Sequence, residues 1–475
     1  MIEIAQIHTP SLGDRSYLAT DGVTALVIDP QRDTDRVLNV AAARGVVITH
    51  VFETHIHNDY LSGGLALARA TGAAYHLNAA DTVAFDRVDV ADGDVVEVGA
   101  SMRVRVIATP GHTFTHLAYA LEDAATAGVA AVFTGGSLLH GSTGRPDLLG
   151  AKHAPALAAA QHASAQRLAA MLPGQAAVHP THGFGSFCAA SASGPDGSTL
   201  ADEQRSNPVL TLDADSYVAA LLAGLDDYPA YYARMAPANA AGPAAPDLAP
   251  PSLASADQVR RRIAGGEWVV DLRYGRGFAE SHVPGSLSFG YDDSFVSNLG
   301  WLLPVGTPLT LIGGSPQQVA DAQRDLARIG IDQLAGASYG PPADGTRRLA
   351  SYPVADFAGL VAAWRHQRPT VLDVRRRLEW SDSHIEGALH VPLHHLPDRI
   401  PDLPPGPIWV HCQAGYRASV AASLLHAAGR AVTAIDDDFH RAALAGLPMA
   451  AGPAAVPPLR TTRGGTRSGG DAAQT

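Results

Sequence analysis

With 475 residues, 46% hydrophobic and 17% charged side chains, the chain is too long for one hydrophobic core and too apolar to be disordered. Acidic residues outnumber basic ones by 46 to 34, which disfavours general attraction to nucleic acid or anionic lipid. There is no run of about 18 apolar residues, and the first residues show no charged and apolar regions of an export signal, so neither a membrane span nor secretion is expected. Two to four domains in a cytoplasmic protein are expected, with its two cysteines, Cys188 and Cys412, present as reduced thiols.

Over residues 1–235, short β-rich runs ("GVTALVID", "SMRVRVIATP", "AAVFTGG", "AAVHPTHG") alternate with helical stretches, the pattern of a layered α/β domain. The stretch "ETHIHNDYLSGG" places His55, His57 and Asp59 just after a strand, and a H-x-H pair in a loop can aim both imidazoles at one ion. "TPGHTFTH" with His112 and "HPTHGFGSFC" with His182 also follow β-like runs, so all these rings are expected at converging strand ends. Residues 236–252, "APANAAGPAAPDLAPPS", have the Pro, Ala and Gly content of a linker.

Beyond it the chain repeats one template over residues 253–345 and 352–450: an amphipathic helix, a strand ending Asp-Leu/Val-Arg, and Ser-His-Val/Ile-x-Gly. Asp271 aligns with Asp373, Arg273 with Arg375, His282 with His384 and Gly285 with Gly387. In the second repeat, "PIWVHCQAGYRASVAASLLHAAG" is a strand, a six-residue loop from Cys412 to Arg417, and a helix. Converging backbone N–H groups and the helix dipole there favour a thiolate or persulfide anion, and Arg417 adds a charge suited to an oxyanion. A tyrosine-phosphatase loop shares this pattern. The first repeat reads "TPLTLIGGSPQQ" at the corresponding place and has no cysteine, so a scaffolding role is expected, with Asp271 and Arg273 holding the fold together. Residues 451–475 are expected to be a disordered tail.

"THIHNDYLSGG", "TPGHT" and "HPTHG" together resemble the metallo-β-lactamase superfamily over residues 1–235, and "VLDVR…SHIEGALHVPL" upstream of Cys412 resembles the rhodaneses. The implied fold is an αββα sandwich followed by two rhodanese-like α/β domains. Members with two metals have a histidine where Tyr60 stands, so the chain looks like the mononuclear branch that contains the persulfide dioxygenases; "STGRPDL", with Arg145 and Asp147, is similar to that branch too. One departure is "VFTGGSLLHG", which puts Gly136 where the family has a metal-binding aspartate. The resemblance implies one Fe(II) per chain, with zinc as the alternative, on His55, His112 and, in the aspartate's stead, His57. Asp59, Tyr60, His182, Arg145 and Cys188 would surround the ion or the substrate.

The order of domains resembles bacterial fused persulfide dioxygenase–sulfurtransferases. It implies oxidation of a low-molecular-weight thiol persulfide by dioxygen to sulfite, and transfer of sulfur between Cys412 and sulfite or thiosulfate. No nucleic-acid or membrane partner is implied, and self-association is compatible with it. Two other readings stay open: a one-metal thioester hydrolase of the glyoxalase II kind, and a metal-free binding domain that delivers sulfur to Cys412.

Overall fold

The computed structural model describes residues 2–125, 128–183, 185–190, 197–341 and 349–452. The N-terminal unit is built on two six-stranded sheets. The first takes strands Glu3–Thr9, Asp14–Thr20, Thr24–Ile28, Val47–Phe52, Ala74–Asn78 and Val88–Val90 in chain order. The second runs from Val95–Val98 through Met102–Ala108, Leu117–Asp123, Val129–Gly135 and Ala177–Pro180 to Ser198–Thr199. Strand alternation divides the buried residues between two cores. Tyr17, Ala19, Leu26 and Ile28 face the second sheet and meet Met102, Tyr119 and Phe133. Their neighbours Leu18, Ala25 and Val27 face outward onto Val37 and Ala41 of helix Asp35–Arg44. Helix Ala154–Met171 covers the second sheet through Ala158, Ala165 and Leu168. The layers are therefore αββα, as the motifs imply.

Two smaller parallel sheets follow, with cores Trp268–Asp271 and Leu309–Gly313 in the first repeat, and Thr370–Asp373, Ile408–His411 and Val432–Ile435 in the second. Matched residues do matched work. Arg273 Nη2 donates to Asp271 Oδ2 and to the Ser281 carbonyl, each at 2.7 Å. Arg375 Nη2 donates likewise to Asp373 Oδ2 and the Ser383 carbonyl at 2.7 Å. His282 stacks on Phe278 with ring centroids 4.1 Å apart, and His384 on Trp380 at 3.7 Å. In both repeats the Asp–Arg pair clamps the strand end to the following turn.

The three units share one core, in which Leu12, Tyr60, Leu61 and Tyr231 pack with Phe295, Leu299 and Ile329 and on to Val374 and Val410. Helix Pro316–Arg328 of the first repeat supports the loop that follows His57 directly: the Leu61 N–H donates to the Arg328 carbonyl at 2.7 Å, and Arg328 Nη2 to Asp33 Oδ2 at 2.7 Å. The stretch expected as a linker from residue 236 instead begins inside helix Tyr232–Ala241. Asn239 is the reason, because its amide donates to the carbonyls of His57 (2.9 Å) and Tyr60 (2.8 Å) and accepts from the Ser62 N–H (2.8 Å). Among the described residues no helix is long and apolar enough to cross a membrane. Most of the expected tail, residues 453–475, and residues 342–348 lie outside the described residues.

Candidate metal centre and thiol loop

His55 follows strand Val47–Phe52, His112 follows Met102–Ala108, and His182 follows Ala177–Pro180, so the ends of both sheets converge on one point. Each ring is fixed through Nδ1. His55 Nδ1 lies 2.9 Å from Thr54 Oγ1, whose own proton goes to Asp29 Oδ2, so the ring must be the donor. His112 Nδ1 donates to the Arg145 carbonyl at 2.8 Å, and His182 Nδ1 to Asp14 Oδ1 at 2.9 Å. With Nδ1 the donor, each Nε2 can present a lone pair. All three Nε2 atoms are buried without a hydrogen-bond partner among the described residues, and one ligand atom from each ring lies within 4.8 Å of the others. Three orphaned nitrogens aimed together are costly in a dry interior unless an ion takes them. The donor set, three neutral imidazoles each oriented by an outer partner, fits Zn(II) or Fe(II).

His182 joins His55 and His112 in this trio, while His57, whose Nδ1 is also buried without a partner among the described residues, groups with Asp59 and His182 in a second candidate set. His57 Nε2 faces Glu53 Oε2 at 3.1 Å, Asp29 Oδ1 at 3.3 Å and the Tyr60 hydroxyl at 3.0 Å. Burial disfavours a charge there, but Asp29 and Glu53 outweigh it and hold the ring's pKa well above its ordinary value. Tyr60 stacks on His57 at 4.3 Å, and burial together with Asp29 and Glu53 pushes its phenol well up, so it stays protonated and braces that ring. Asp59 Oδ2 lies 3.2 Å from His182 Nδ1. Although burial favours the neutral acid, His182 holds the Asp59 carboxyl below the usual carboxylate range, while burial and the Asp59 charge push Asp14 up. His182 in turn is raised to about 9 against its own burial by Asp59 and Asp14, so an ion arriving at Nε2 would displace a proton.

Gly136 explains how a centre without the acidic residue packs. A Cβ on it would stand 2.3 Å from His112 Cδ2, and one on Gly144 would stand 2.6 Å from His112 Nδ1, so the ring occupies a slot between two glycines. Arg145 works through its backbone: its carbonyl fixes His112 while its guanidinium is engaged by Asp147 at 2.7 and 2.8 Å. Cys188 is fully buried, and burial with nearby Asp59 and Asp14 pushes its thiol well up, leaving it protonated. Asp14, Asp29, Thr54 and Glu53 escaped the sequence reading. A short polar residue before the H-x-H pair was the single local signal, since the partners of Asp14 and Asp29 lie more than 20 residues away.

Cys412 directly follows strand Ile408–His411 and is 2% exposed, and Gly415 turns the chain with φ +90° into helix Tyr416–Ala427. Only glycine fits that turn, since a Cβ would also meet Asp436 Oδ1 at 2.5 Å. Arg417 gives both terminal nitrogens to Glu379, at 2.6 and 2.7 Å. The thiol lines a cavity of about 500 Å³ that also takes Gly185 and Phe187 from the loop after His182, and Asn298 and Trp301 from the first repeat. In that repeat the corresponding turn is closed: Ser315 Oγ accepts from the Gln318 N–H, and Gln318 Oε1 from the Gly314 N–H at 2.7 Å.

Residues 357–442 match the rhodanese-like domain family. A hydroxyacylglutathione hydrolase from Polaromonas sp. is 30% identical over 230 residues, covering 43% of this chain and 83% of that protein. One from Acidiphilium cryptum is 36% identical over 123 residues, covering 25% of this chain. The chain spans about half the length of most of the curated relatives it matches. Among solved structures, a metallo-β-lactamase from Staphylococcus aureus subsp. aureus COL superposes with a TM-score of 0.64 at 27% identity, over 72% of this chain and 99% of that one.

Proposed function

We propose that this chain, which belongs to the metallo-β-lactamase-fold family of the hydroxyacylglutathione hydrolases and carries a C-terminal rhodanese-like domain, is a two-site enzyme of sulfane sulfur. It oxidises a low-molecular-weight persulfide to sulfite at the three-histidine centre and transfers sulfur through Cys412. The observation that carries this reading is adjacency: Gly185 and Phe187, in the loop that follows His182, line the cavity of Cys412, so the segment bearing one site walls the other.

His55, His112 and His182 would hold one ion, and Fe(II) there would supply redox chemistry toward dioxygen and an affinity for a soft sulfur anion. Persulfide, dioxygen and water then give thiol, sulfite and protons. The protein's own part is orientation. Thr54, the Arg145 carbonyl and Asp14 keep each Nδ1 protonated, and the enclosing core excludes water.

At the second site the Cys412 thiolate attacks the outer sulfur of thiosulfate. The S–S bond breaks, sulfite leaves with the electron pair, and Cys412 keeps a persulfide facing the N-terminus of helix Tyr416–Ala427. In reverse, sulfite from the first site takes the outer sulfur and leaves as thiosulfate. Tethering the sites raises the local concentration of that product.

The test is oxygen uptake with glutathione persulfide on anaerobically iron-loaded protein, with His55→Ala as control. Uptake no greater than the control's refutes the oxidation. A second reading, a one-metal thioester hydrolase, is favoured by the identity to the Polaromonas hydrolase. Zinc in the purified protein and hydrolysis of a glutathione thioester would support it instead.

A further inference from the structure

Arg417, next to the thiol, is matched by the Glu379 carboxylate through two bonds of 2.6 and 2.7 Å. A second guanidinium reaches the same carboxylate less closely: Arg376 Nε lies 3.5 Å from Glu379 Oε2. Two guanidinium groups therefore share the one Glu379 carboxylate, and both arginines line the cavity with Cys412. His394, also in the lining, is engaged by Asp227 at 3.1 Å, and Asp293, an exposed carboxylate, lines the same cavity. Arg376 is also held from the metal-bearing unit, its guanidinium carbon 5.3 Å from the Phe187 ring centroid. Its side chain is 38% exposed, and a neighbouring hollow of about 470 Å³ shares Arg376, Phe187 and Gly185 with the thiol cavity.

We infer that Arg376, propped on Phe187, is the specificity-determining residue of the thiol site. It recruits sulfur donors and acceptors that carry full negative charge beside the sulfur, such as thiosulfate and sulfite. Arg417 is left to shape the loop. The inference rests on the reading of Cys412 as the sulfur carrier, and it assigns to the metal-bearing unit a part in choosing that carrier's substrates.

The test uses the full chain and follows alkylation of Cys412 by iodoacetate, an anion, and iodoacetamide, its neutral counterpart, with the modified peptide read by mass spectrometry. Arg376→Ala should slow iodoacetate on the order of tenfold and change iodoacetamide less than about twofold. Arg376→Lys should retain most of the preference, Phe187→Ala should lose part of it, and Arg376→Glu should reverse it. The KM for thiosulfate should rise in the same order, with kcat changed far less. An unchanged ratio of the two rates in Arg376→Ala, or an equal fall in both, overturns the inference. If the ratio falls while the parent chain moves no sulfur from thiosulfate to cyanide, the anion site stands and the sulfur-transfer reading fails.

Discussion

Gly136→Ala probes whether the His112 ring fills the space an acidic residue would need. Carbon atoms in contact rest about 3.5 to 4.0 Å apart. The new methyl would stand 2.3 Å from Cδ2, 2.6 Å from Cγ and 2.9 Å from Nε2. The ring must therefore move by about 1 Å, and Gly144 closes the far side of the slot. Gly136 is not among the positive-φ residues, so the backbone itself accepts alanine and the effect is one of packing. Overpacking costs about 1–3 kcal/mol. Losing the Nδ1 bond to the Arg145 carbonyl orphans a buried donor for about 1–3 kcal/mol more. The combined destabilisation is about 2–6 kcal/mol. An imidazole that has lost its orienting partner should also bind metal about 10 to 100 times more weakly. Anaerobic titration with Fe(II) and with Zn(II) reads that loss directly, and Gly136→Asp should do no better than alanine. Parent-like affinity and stoichiometry in Gly136→Ala would show that His112 is not confined to the slot, and the assignment of the ion to these three rings would go with it.

Asp14→Asn should weaken retention of the ion by about 10- to 100-fold through His182 alone, which metal content after dialysis against a chelator measures. Arg328→Met takes from Asp325 its guanidinium and from Asp33 one of three, with Arg36 and Arg324 remaining, and should cost about 1–3 kcal/mol, seen as a lower urea midpoint; an unchanged midpoint would deny the first repeat its supporting role. Burial favours the neutral Glu379 carboxyl, but Arg417 holds it at about 2 against an ordinary 4.5. A depressed carboxylate stabilises the fold above its ordinary pKa and loses that contribution as the pH falls toward the folded value. Glu379→Gln should therefore lose up to about 3 kcal/mol at neutral pH, a deficit that narrows between pH 5 and 3; a deficit independent of pH would count against the pair.

The layered unit was legible because alternating runs such as "GVTALVID" are buried on both faces, and burial on two faces writes itself into consecutive residues. The repeats were legible because the Asp–Arg clamp and the His stacked on the aromatic ring four residues before it are local devices, carried whole in a short template. The end of the first unit was not. Helix Tyr232–Ala241 has a linker's composition, and its place depends on Asn239 reaching carbonyls about 180 residues earlier in the chain.

The primary structure by itself determined which rings and thiol stand at strand ends and which guanidinium at a helix start, since strand periodicity and turn residues act within a few positions. Only the tertiary structure decided which nitrogens face one another. The orientation of the His182 ring is set by Asp14, 168 residues away, and that of His57 by the carboxylates of Asp29 and Glu53. In the same way, the charge available to the thiol depends on how Glu379, Arg417, Arg376 and Phe187 meet, and they come from three separate stretches. Ring orientation and charge pairing are contacts between distant segments, and no local pattern encodes them.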